Sequence, residues 1–98
     1  MKIRKEIENG KLTVYIDGKL DTSTSPQASQ EIETEIEGIE SLVLDMQNLK
    51  YISSAGLRLL LSLHKKMAAK GGMTVRNVNE TNMEIFDMTG FTDILNFE

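Results

Sequence analysis

The chain opens with apolar residues at the spacing of paired strands. Residues 12–16 alternate apolar and polar side chains, which is the period of a half-buried strand. Ile3 and Ile7 lie on one side of an earlier strand, and Asn9-Gly10 is the dipeptide that a two-residue type I′ turn prefers. The pattern predicts an antiparallel β-hairpin at the start of the fold.

Residues 25–39 carry apolar side chains at helical spacing. Ser25 and Pro26 fit the N-cap and first-turn positions of a helix, and Gly38 fits its end. The stretch "EIETEIE" also fits an alternating strand, but glutamate is depleted in strands and the cap signals favour the helix. The apolar residues that share the helix face are Ala28, Ile32, Ile36 and Ile39.

A central strand and a longer helix follow. "SLVLDM" is a short apolar run that leads into Asp45, and such runs are typical of strands covered on their faces. The longer helix begins at Ser54, and Gly71-Gly72 stops it. Its apolar stripe consists of Leu57, Leu60, Leu61, His64 and Ala68, widened by Leu63 and Met67, with Arg58, Ser62 and Lys65 opposite.

The last third repeats the alternation of strand and helix. "MTVRNV" predicts a strand, Asn79 caps a shorter helix that ends near Gly90, and "FTDILNF" is a last apolar segment. Strands that alternate with helices need crossover connections, which are right-handed almost without exception. We therefore expect an α/β fold: one small domain over residues 1–98, with a mostly parallel mixed sheet, an N-terminal antiparallel hairpin and helices packed on the sheet.

The composition narrows the class of partner. Of the 98 residues 40% are hydrophobic and 27% charged, as in ordinary globular domains. The net charge of -4 argues against nucleic acid, because no face collects the basic residues that phosphates need. No run of roughly 18 apolar residues predicts a membrane span, and the absence of cysteine suits a reducing compartment. We expect a cytoplasmic protein that binds neither nucleic acid nor membrane.

Polar side chains gather in two loops that should meet at one edge of the sheet. The loops "DGKLDTSTS" and "DMQNLKYISS" both follow strands, and the carboxyl ends of parallel strands share an edge. This arrangement brings Asp17, Asp21 and Asp45 within reach of Ser54. The alternative interpretation is that these Asp and Ser residues are turn and cap residues, which is the commoner role of each taken singly.

Independent catalysis and cofactor binding lack the residues they need. The only histidine, His64, lies ten residues after Ser54, about 15 Å along the same helix, so it cannot serve as the base for a nucleophilic serine. His64 itself falls on the apolar stripe and is interpreted as a core residue. The glutamates of the first helix resemble a solvated face rather than a metal site, and neither Gly-rich nucleotide-binding motif is present. We expect no cofactor, no metal and no enzymatic activity.

A serine that receives a phosphate is the remaining chemistry. A helix N-terminus offers unpaired N–H groups and a partial positive charge, so a phosphate on Ser54 would be accommodated without unfolding the helix. Its charge of roughly -1.5 to -2 would act on whatever surface docks there. Gly56, two residues on, fits either a close helix–sheet contact or clearance for a partner's backbone.

Three motifs in order, "GKLDTSTSP", "LVLDM" and "YISSAGL", together with "GF" at 90–91, resemble those of an anti-sigma factor antagonist of the STAS domain family. The resemblance spans nearly the whole chain. It implies a small α/β domain whose serine at the start of the second helix is phosphorylated by an anti-sigma factor acting as a serine kinase. It also implies a metal-dependent serine/threonine phosphatase that reverses the modification. The unphosphorylated antagonist binds the anti-sigma factor and frees the sigma factor.

The family motif is usually Asp-Ser-Ser-Gly-Leu or Asp-Ser-Thr-Gly-Leu, and its first hydroxyl residue is the target. Aligning Gly56 and Leu57 with its Gly-Leu puts the target at Ser54. Ser53 stands where the aspartate usually does, which makes it the rival target, and Ala55 replaces the second hydroxyl. The partner surface implied by the resemblance comprises Asp21, Thr22, Ser23, Thr24, Ser53, Ser54, Gly56, Leu57 and Arg58.

Two other classes of function are also compatible with features of this sequence. A STAS scaffold or sensor module would bind proteins or a small ligand without being switched and without a sigma-factor output. A prosthetic-group carrier is also small, acidic and modified on a helix-terminal serine, but carriers are helical bundles, and the hairpin signal at Asn9-Gly10 counts against one.

Overall fold

The computed structural model describes residues 1–98. The chain begins with a β-hairpin, and helices and strands then alternate. The strands are β1 (Lys2–Glu8), β2 (Lys11–Leu20), β3 (Ser41–Asp45), β4 (Leu49–Ile52), β5 (Met73–Arg76) and β6 (Asn96–Phe97). The helices are α1 (Ser25–Glu33), α2 (Ser54–Ala68) and α3 (Glu80–Thr89), with short 3₁₀ turns at Ile36–Gly38 and Phe91–Asp93.

The turn dipeptide fixes the N-terminal hairpin as predicted. Glu8 lies opposite Lys11, and β1 runs antiparallel to β2 over its whole length. Asn9 and Gly10 between them have φ of 51° and 80°, the left-handed conformations that both central residues of a type I′ turn require. The local sequence therefore sets the register of this pair of strands.

The sheet is mixed and mostly parallel, which confirms the predicted fold class. Its main order is β1-β2-β3-β5-β6, and β4 pairs with the last residues of β2. Every pairing except β1 with β2 is parallel. Parallel neighbours need crossovers, and the helices between the strands provide them.

Both loops expected at the sheet edge contain strand residues. β2 continues to Leu20, so much of "DGKLDTSTS" is paired rather than looped, and its register with β4 shifts between Gly18 and Lys19. The stretch "DMQNLKYISS" contains β4, which the sequence analysis missed. Only four residues long and with Lys50 and Tyr51 exposed, β4 shows no run of apolar residues.

The first two helices differ from their predicted bounds. α1 ends at Glu33 and the chain tightens into a 3₁₀ turn, which keeps Ile36 and Ile39 buried although they lie beyond the α-helix. α2 is rotated from the predicted stripe: Ala68 is exposed and His64 is only half buried. Its buried residues are Gly56, Leu57, Leu59, Leu60, Leu63 and Met67.

The third helix confirms both of its predicted ends. The side chain of Asn79 accepts the N–H of Asn82 at 2.8 Å, as an N-cap residue does. Gly90 follows the last turn with φ 80°, the left-handed conformation typical of a helix C-terminus. Phe86 of this helix is fully buried against Phe91 and Phe97, and so joins α3 to the end of the sheet.

Candidate functional site

Ser54 begins α2 and follows β4 after a single residue. That residue, Ser53, keeps an extended backbone (φ -96°, ψ 178°), and its N–H donates to the carbonyl oxygen of Leu20 at 2.9 Å. The carbonyl oxygen of Ser53 accepts the N–H of Leu57 at 2.9 Å, which is the first hydrogen bond of the helix. Ser53 is thus tied to the sheet on one side and to the helix on the other, and the position of Ser54 is fixed.

The two candidate serines differ in their access to solvent. Ser54 is exposed, whereas Oγ of Ser53 is buried and has no hydrogen-bond partner. A modifying protein can reach the hydroxyl of Ser54 in the folded state, but it would reach that of Ser53 only after local opening.

The N-terminus of α2 has no acidic residue to offset the positive end of the helix dipole. The side chain of Ser53 makes no capping hydrogen bond, and the first turn contains neither Asp nor Glu. Unpaired N–H groups and the dipole together favour a negative group at this end. Arg58, exposed four residues after Ser54, lies on the same side of the helix and adds positive charge.

α2 lies in close contact with the sheet at Gly56. A Cβ atom at this position would lie 2.7 Å from Cγ1 of Ile52 and 2.8 Å from the carbonyl oxygen of Leu20. Of the two interpretations of this glycine, the structure supports the close helix–sheet contact. Leu57 is also buried, so neither residue offers surface to a partner, and both act by positioning Ser54.

The segment 21–24 forms a capping box ahead of α1. Oδ1 of Asp21 accepts the N–H groups of Ser23 and Thr24, each at 3.0 Å, and the hydroxyl of Ser23 at 2.8 Å. In return Oγ1 of Thr24 accepts the N–H of Asp21 at 2.9 Å and donates to the carbonyl oxygen of Lys19 at 2.7 Å. These bonds, first that of the Ser23 hydroxyl and then that of the Thr24 N–H, lower the pKa of Asp21.

Ser25 was predicted as the N-cap of α1, but the N-cap position is Thr24, and Asp21 caps the turn that leads into the helix. Ser25 is the first residue of α1, and its hydroxyl is buried without a hydrogen-bond partner. Its N–H donates to the carbonyl oxygen of Asp21 at 2.8 Å, so the helical turn starts four residues earlier. Pro26 lies in the first turn as expected. The interpretation of this Asp as a cap residue is therefore right.

A groove between α1 and α2 joins the segments "GKLDTSTSP" and "YISSAGL". Thr22 of the first segment, Ala55 of the second and Arg58 just after it line the same depression of about 390 Å³. Ser29 and Ser62 also line it, and neither was predicted as a site residue. Their spacing in the sequence indicates this position. Ser29 lies four residues after Ser25 on α1 and Ser62 four residues after Arg58 on α2, so each shares a helix face with a residue that lines the groove.

Two other carboxylates do not join the site at Ser54. Asp17 is a paired residue of β2, exposed opposite Lys2. Asp45 is buried at the end of β3, where its Oδ2 accepts Nε of Arg76 at 2.9 Å and Nδ2 of Asn77 at 3.0 Å. Neither Asp17 nor Asp45 makes a hydrogen bond to Ser54, because Asp17 is paired in the hairpin and the Asp45 carboxylate is occupied by Gln47, Arg76 and Asn77.

Burial and hydrogen bonding act in opposite directions on Asp45. Burial alone would raise the pKa of this carboxyl. The N–H of Gln47 donates to Oδ1 at 3.0 Å, and this bond, together with Arg76 and Asn77, outweighs burial and lowers the pKa below its ordinary value of 3.8. Asp45 is therefore ionised at neutral pH, and its role is to fix the ends of β3 and β5.

α2 is continuous from Ser54 to Ala68, so it separates Ser54 from His64 by about 15 Å at 1.5 Å per residue. Nδ1 of His64 is buried without a hydrogen-bond partner.

No three side chains of His, Asp or Glu lie close enough together to hold a metal ion. None of the helices has both the length and the apolar character needed to span a bilayer.

Comparison with known proteins identifies relatives over the full length of the chain. A family model described as the STAS domain matches residues 2–98. An anti-sigma F factor antagonist from Paenibacillus polymyxa is 33% identical, and the match covers 97% of this chain and 84% of the relative. An anti-sigma-B factor antagonist from Bacillus subtilis (strain 168) is 27% identical, with 93% and 84% covered.

Solved structures share the fold at lower sequence identity. The anti-sigma factor antagonist SpoIIAA in its unphosphorylated form has a TM-score of 0.78 at 18% identity, with 99% of this chain and 87% of that chain covered. The Bacillus cell fate determinant SpoIIAA in the phosphorylated form has a TM-score of 0.77 at 19% identity, with 99% and 91% covered.

Proposed function

The chain belongs to the STAS domain family, and we propose that it is an anti-sigma factor antagonist switched by phosphorylation of Ser54. The unphosphorylated protein binds an anti-sigma factor that is also a serine kinase, and thereby releases the sigma factor. Phosphorylation of Ser54 ends that binding, and a metal-dependent serine/threonine phosphatase restores it. The protein acts in the cytoplasm as a ligand and a substrate and is not itself an enzyme.

The observation that carries this proposal is the contrast between the two serines. The hydroxyl of Ser54 is open to a kinase, while Oγ of Ser53 is buried. In the transfer the oxygen of Ser54 bonds to the γ-phosphorus of ATP bound by the kinase, ADP leaves, and the serine proton passes to the kinase or to solvent. The full-length likeness to a protein named as an anti-sigma F factor antagonist supports the same assignment.

The phosphate fits the N-terminus of α2 without a change of fold. No acidic residue lies in the first turn, where the dipole and free N–H groups attract a negative group. Ser53 occupies the position of the usual aspartate, so the phosphate avoids a carboxylate next to it in sequence. The added charge therefore changes what docks on this surface and leaves the molecule itself intact.

The partner surface comprises the exposed residues around Ser54 and the groove beside it. Thr22 and Arg58 line that groove, and the capping box of Asp21 and Thr24 holds the segment next to it. A partner that covers Ser54 would have to desolvate a phosphate there, which is costly without matched positive charge. Phosphorylation thus expels the anti-sigma factor by charge and by desolvation.

Incubation with the cognate kinase, ATP and magnesium tests the site. We expect one phosphate per chain, mapped to Ser54 by mass spectrometry. Ser54→Ala should abolish it, and the matched variant Ser53→Ala should be modified at the parental rate. Phosphorylation of Ser54→Ala at the parental rate would refute the assignment. Binding of the anti-sigma factor by the parent but not by the phosphorylated form tests the switch itself.

A further inference from the structure

β1 is an edge strand with one side free. It pairs only with β2 and closes one end of the sheet order. Glu8 and Lys11 flank the two-residue turn, and such residues exchange both of their main-chain hydrogen bonds. The alternation along an antiparallel ladder then directs the N–H and C=O of Ile3, Lys5 and Ile7 away from the sheet. Each of these three residues offers one donor and one acceptor to a further strand.

We propose that β1 pairs antiparallel with β1 of a second copy of this chain, about a two-fold axis at Lys5. Except at Lys5 on the axis, the sequence "KIRKEIE" of β1 is its own charge complement in that register. Opposite charges face each other on one side of the joined sheets, and isoleucines face each other on the other. The facing pairs are Lys2 with the partner's Glu8, Arg4 with the partner's Glu6, Ile3 with the partner's Ile7, and Lys5 with the partner's Lys5.

The charge pattern favours this register over its neighbours, because it forms four opposite-charge pairs whereas either neighbour forms two. Because only odd-numbered residues point their main-chain groups outward, the register can move only in steps that keep odd positions opposite odd positions. One step in one direction puts Glu6 opposite the partner's Glu6, and one step in the other puts Arg4 opposite the partner's Arg4. Like charges placed directly opposite each other are destabilising, and each of the three registers has one such pair on its axis, so the number of opposite-charge pairs distinguishes them. Both steps also separate the isoleucines and set Lys5 against one of them.

The isoleucine pairs remove exposed apolar surface from water. Ile7 is 58% exposed, although it belongs to a regular strand. Ile3 lines a groove of about 440 Å³ that also includes Gln27 and Glu31 of α1. In the paired arrangement the partner's Ile7 lies beside Ile3 at this groove. The joined sheet therefore covers one of the most exposed large apolar side chains of each copy.

The two Lys5 side chains at the two-fold axis repel each other and so weaken the association. Nζ of Lys5 lies 3.7 Å from a carboxylate oxygen of Glu35 and donates to the carbonyl oxygen of Glu31 at 3.4 Å. Each lysine thus brings its own counter-charge to the axis. Neither Ser54 nor residues 21–24 belong to β1 or line its groove, so each copy in the pair keeps its site.

Sedimentation equilibrium between about 1 μM and 1 mM tests the pairing. We expect a reversible dimer with twice the mass of one chain. Glu6→Arg puts like charges opposite each other at two symmetric positions and should raise the dimer Kd about tenfold. The double variant Arg4→Glu/Glu6→Arg restores opposite pairs and should return the Kd to near the parental value. The fold should persist in both, because Arg4 and Glu6 are exposed, which circular dichroism checks.

Lys5→Pro is the matched variant that blocks the edge. The N–H of Lys5 points away from β2, so proline removes no hydrogen bond of the hairpin but removes one from the pairing. We expect a folded monomer. A parent that is monomeric at 1 mM, a dimer that Lys5→Pro leaves unchanged, or a double variant that stays as weak as Glu6→Arg would each overturn the proposal. The charge variants decide the question if the proline variant loses its fold.

Discussion

The N–H of Ser53 donates a 2.9 Å hydrogen bond to the carbonyl oxygen of Leu20. Ser53 precedes α2, and Leu20 precedes the capping box that starts at Asp21. The same carbonyl oxygen lies 2.8 Å from the Cβ position of Gly56. One main-chain atom therefore sets the spacing between the two segments that we propose bind the anti-sigma factor. This contact makes the position of Ser54 sensitive to changes that do not touch its hydroxyl.

Gly56→Ala should destabilise the protein and displace Ser54. Alanine raises helix propensity by about 1 kcal/mol, but overpacking costs about 1–3 kcal/mol. The clash should dominate because the carbonyl oxygen of Leu20 cannot move without weakening its bond to Ser53. Urea unfolding should show a net loss of free energy of unfolding, and the rate of Ser54 phosphorylation should fall.

Gly38→Ala is the matched control for that variant. No atom lies within 4 Å of a Cβ atom at Gly38, so the free energy of unfolding should stay within about 0.5 kcal/mol of the parental value. Equal losses in the two variants would contradict the close contact at Gly56.

Asp21→Ala and Thr22→Ala should separate stability from partner binding. Asp21 caps the turn that leads into α1, so its replacement should lower the melting temperature, and Asp21→Asn should restore most of the loss because an amide oxygen can accept the same bonds. Thr22 is exposed and lines the groove, so Thr22→Ala should weaken binding of the anti-sigma factor at an unchanged melting temperature. Thermal unfolding and calorimetric titration measure the two effects. If Thr22→Ala binds the anti-sigma factor as tightly as the parent, this threonine does not belong to the partner surface.

Low pH should reduce the free energy of unfolding through protonation of Asp45. The folded state lowers the pKa of this carboxyl below 3.8, so it binds a proton less readily than the unfolded state does. Its contribution is complete well above pH 3.8 and is lost as the pH falls through that value toward the folded pKa. Asp45→Asn should cost about 1.5 kcal/mol at pH 7. The difference from the parent should shrink near pH 2.5, as urea unfolding at both pH values would show; a constant difference would contradict the ion pair with Arg76.

Ser54→Asp should leave the fold intact and stabilise it slightly. A negative charge at the start of α2 gains about 0.3–1 kcal/mol at low salt, because the first turn has no acidic residue. Ser54→Asn, which has the same shape without the charge, should not gain this amount. The same charge should weaken binding of the anti-sigma factor. A loss of more than about 1 kcal/mol in Ser54→Asp would mean that a phosphate is not accommodated at this position.

Local signals in the sequence predicted the elements that depend only on local geometry. Asn9-Gly10 predicted the hairpin because both residues tolerate positive φ. Asn79 predicted the start of α3 because its side chain can accept a first-turn N–H, and Gly90 predicted the end because it tolerates positive φ. By contrast, β4 was missed because Lys50 and Tyr51 are exposed, and it is a strand only through its pairing with β2.

The site was predicted in its parts but not in its arrangement. Ser54 at the start of α2 followed from the break in pattern at "YISSAG", but sequence could not distinguish its exposure from that of Ser53. The sequence also did not predict which side of α2 faces the sheet: Gly56 is in close contact with it, His64 is half buried and Ala68 is exposed. Asp21 was selected for a partner surface, and the structure gives it the additional role of capping the turn that leads into α1.

The sequence by itself determined the α/β fold class, the hairpin, the start of α2 and the chemistry available at Ser54. It could do so because turn dipeptides, caps and apolar periods act over a few neighbouring residues. Only the tertiary structure decided that the hydroxyl of Ser53 is buried while Ser54 is exposed, that Asp45 binds Arg76, and that Thr22 and Arg58 share a groove. These outcomes depend on the pairing and packing of segments distant in the chain, and no local pattern of residues encodes the distances between them.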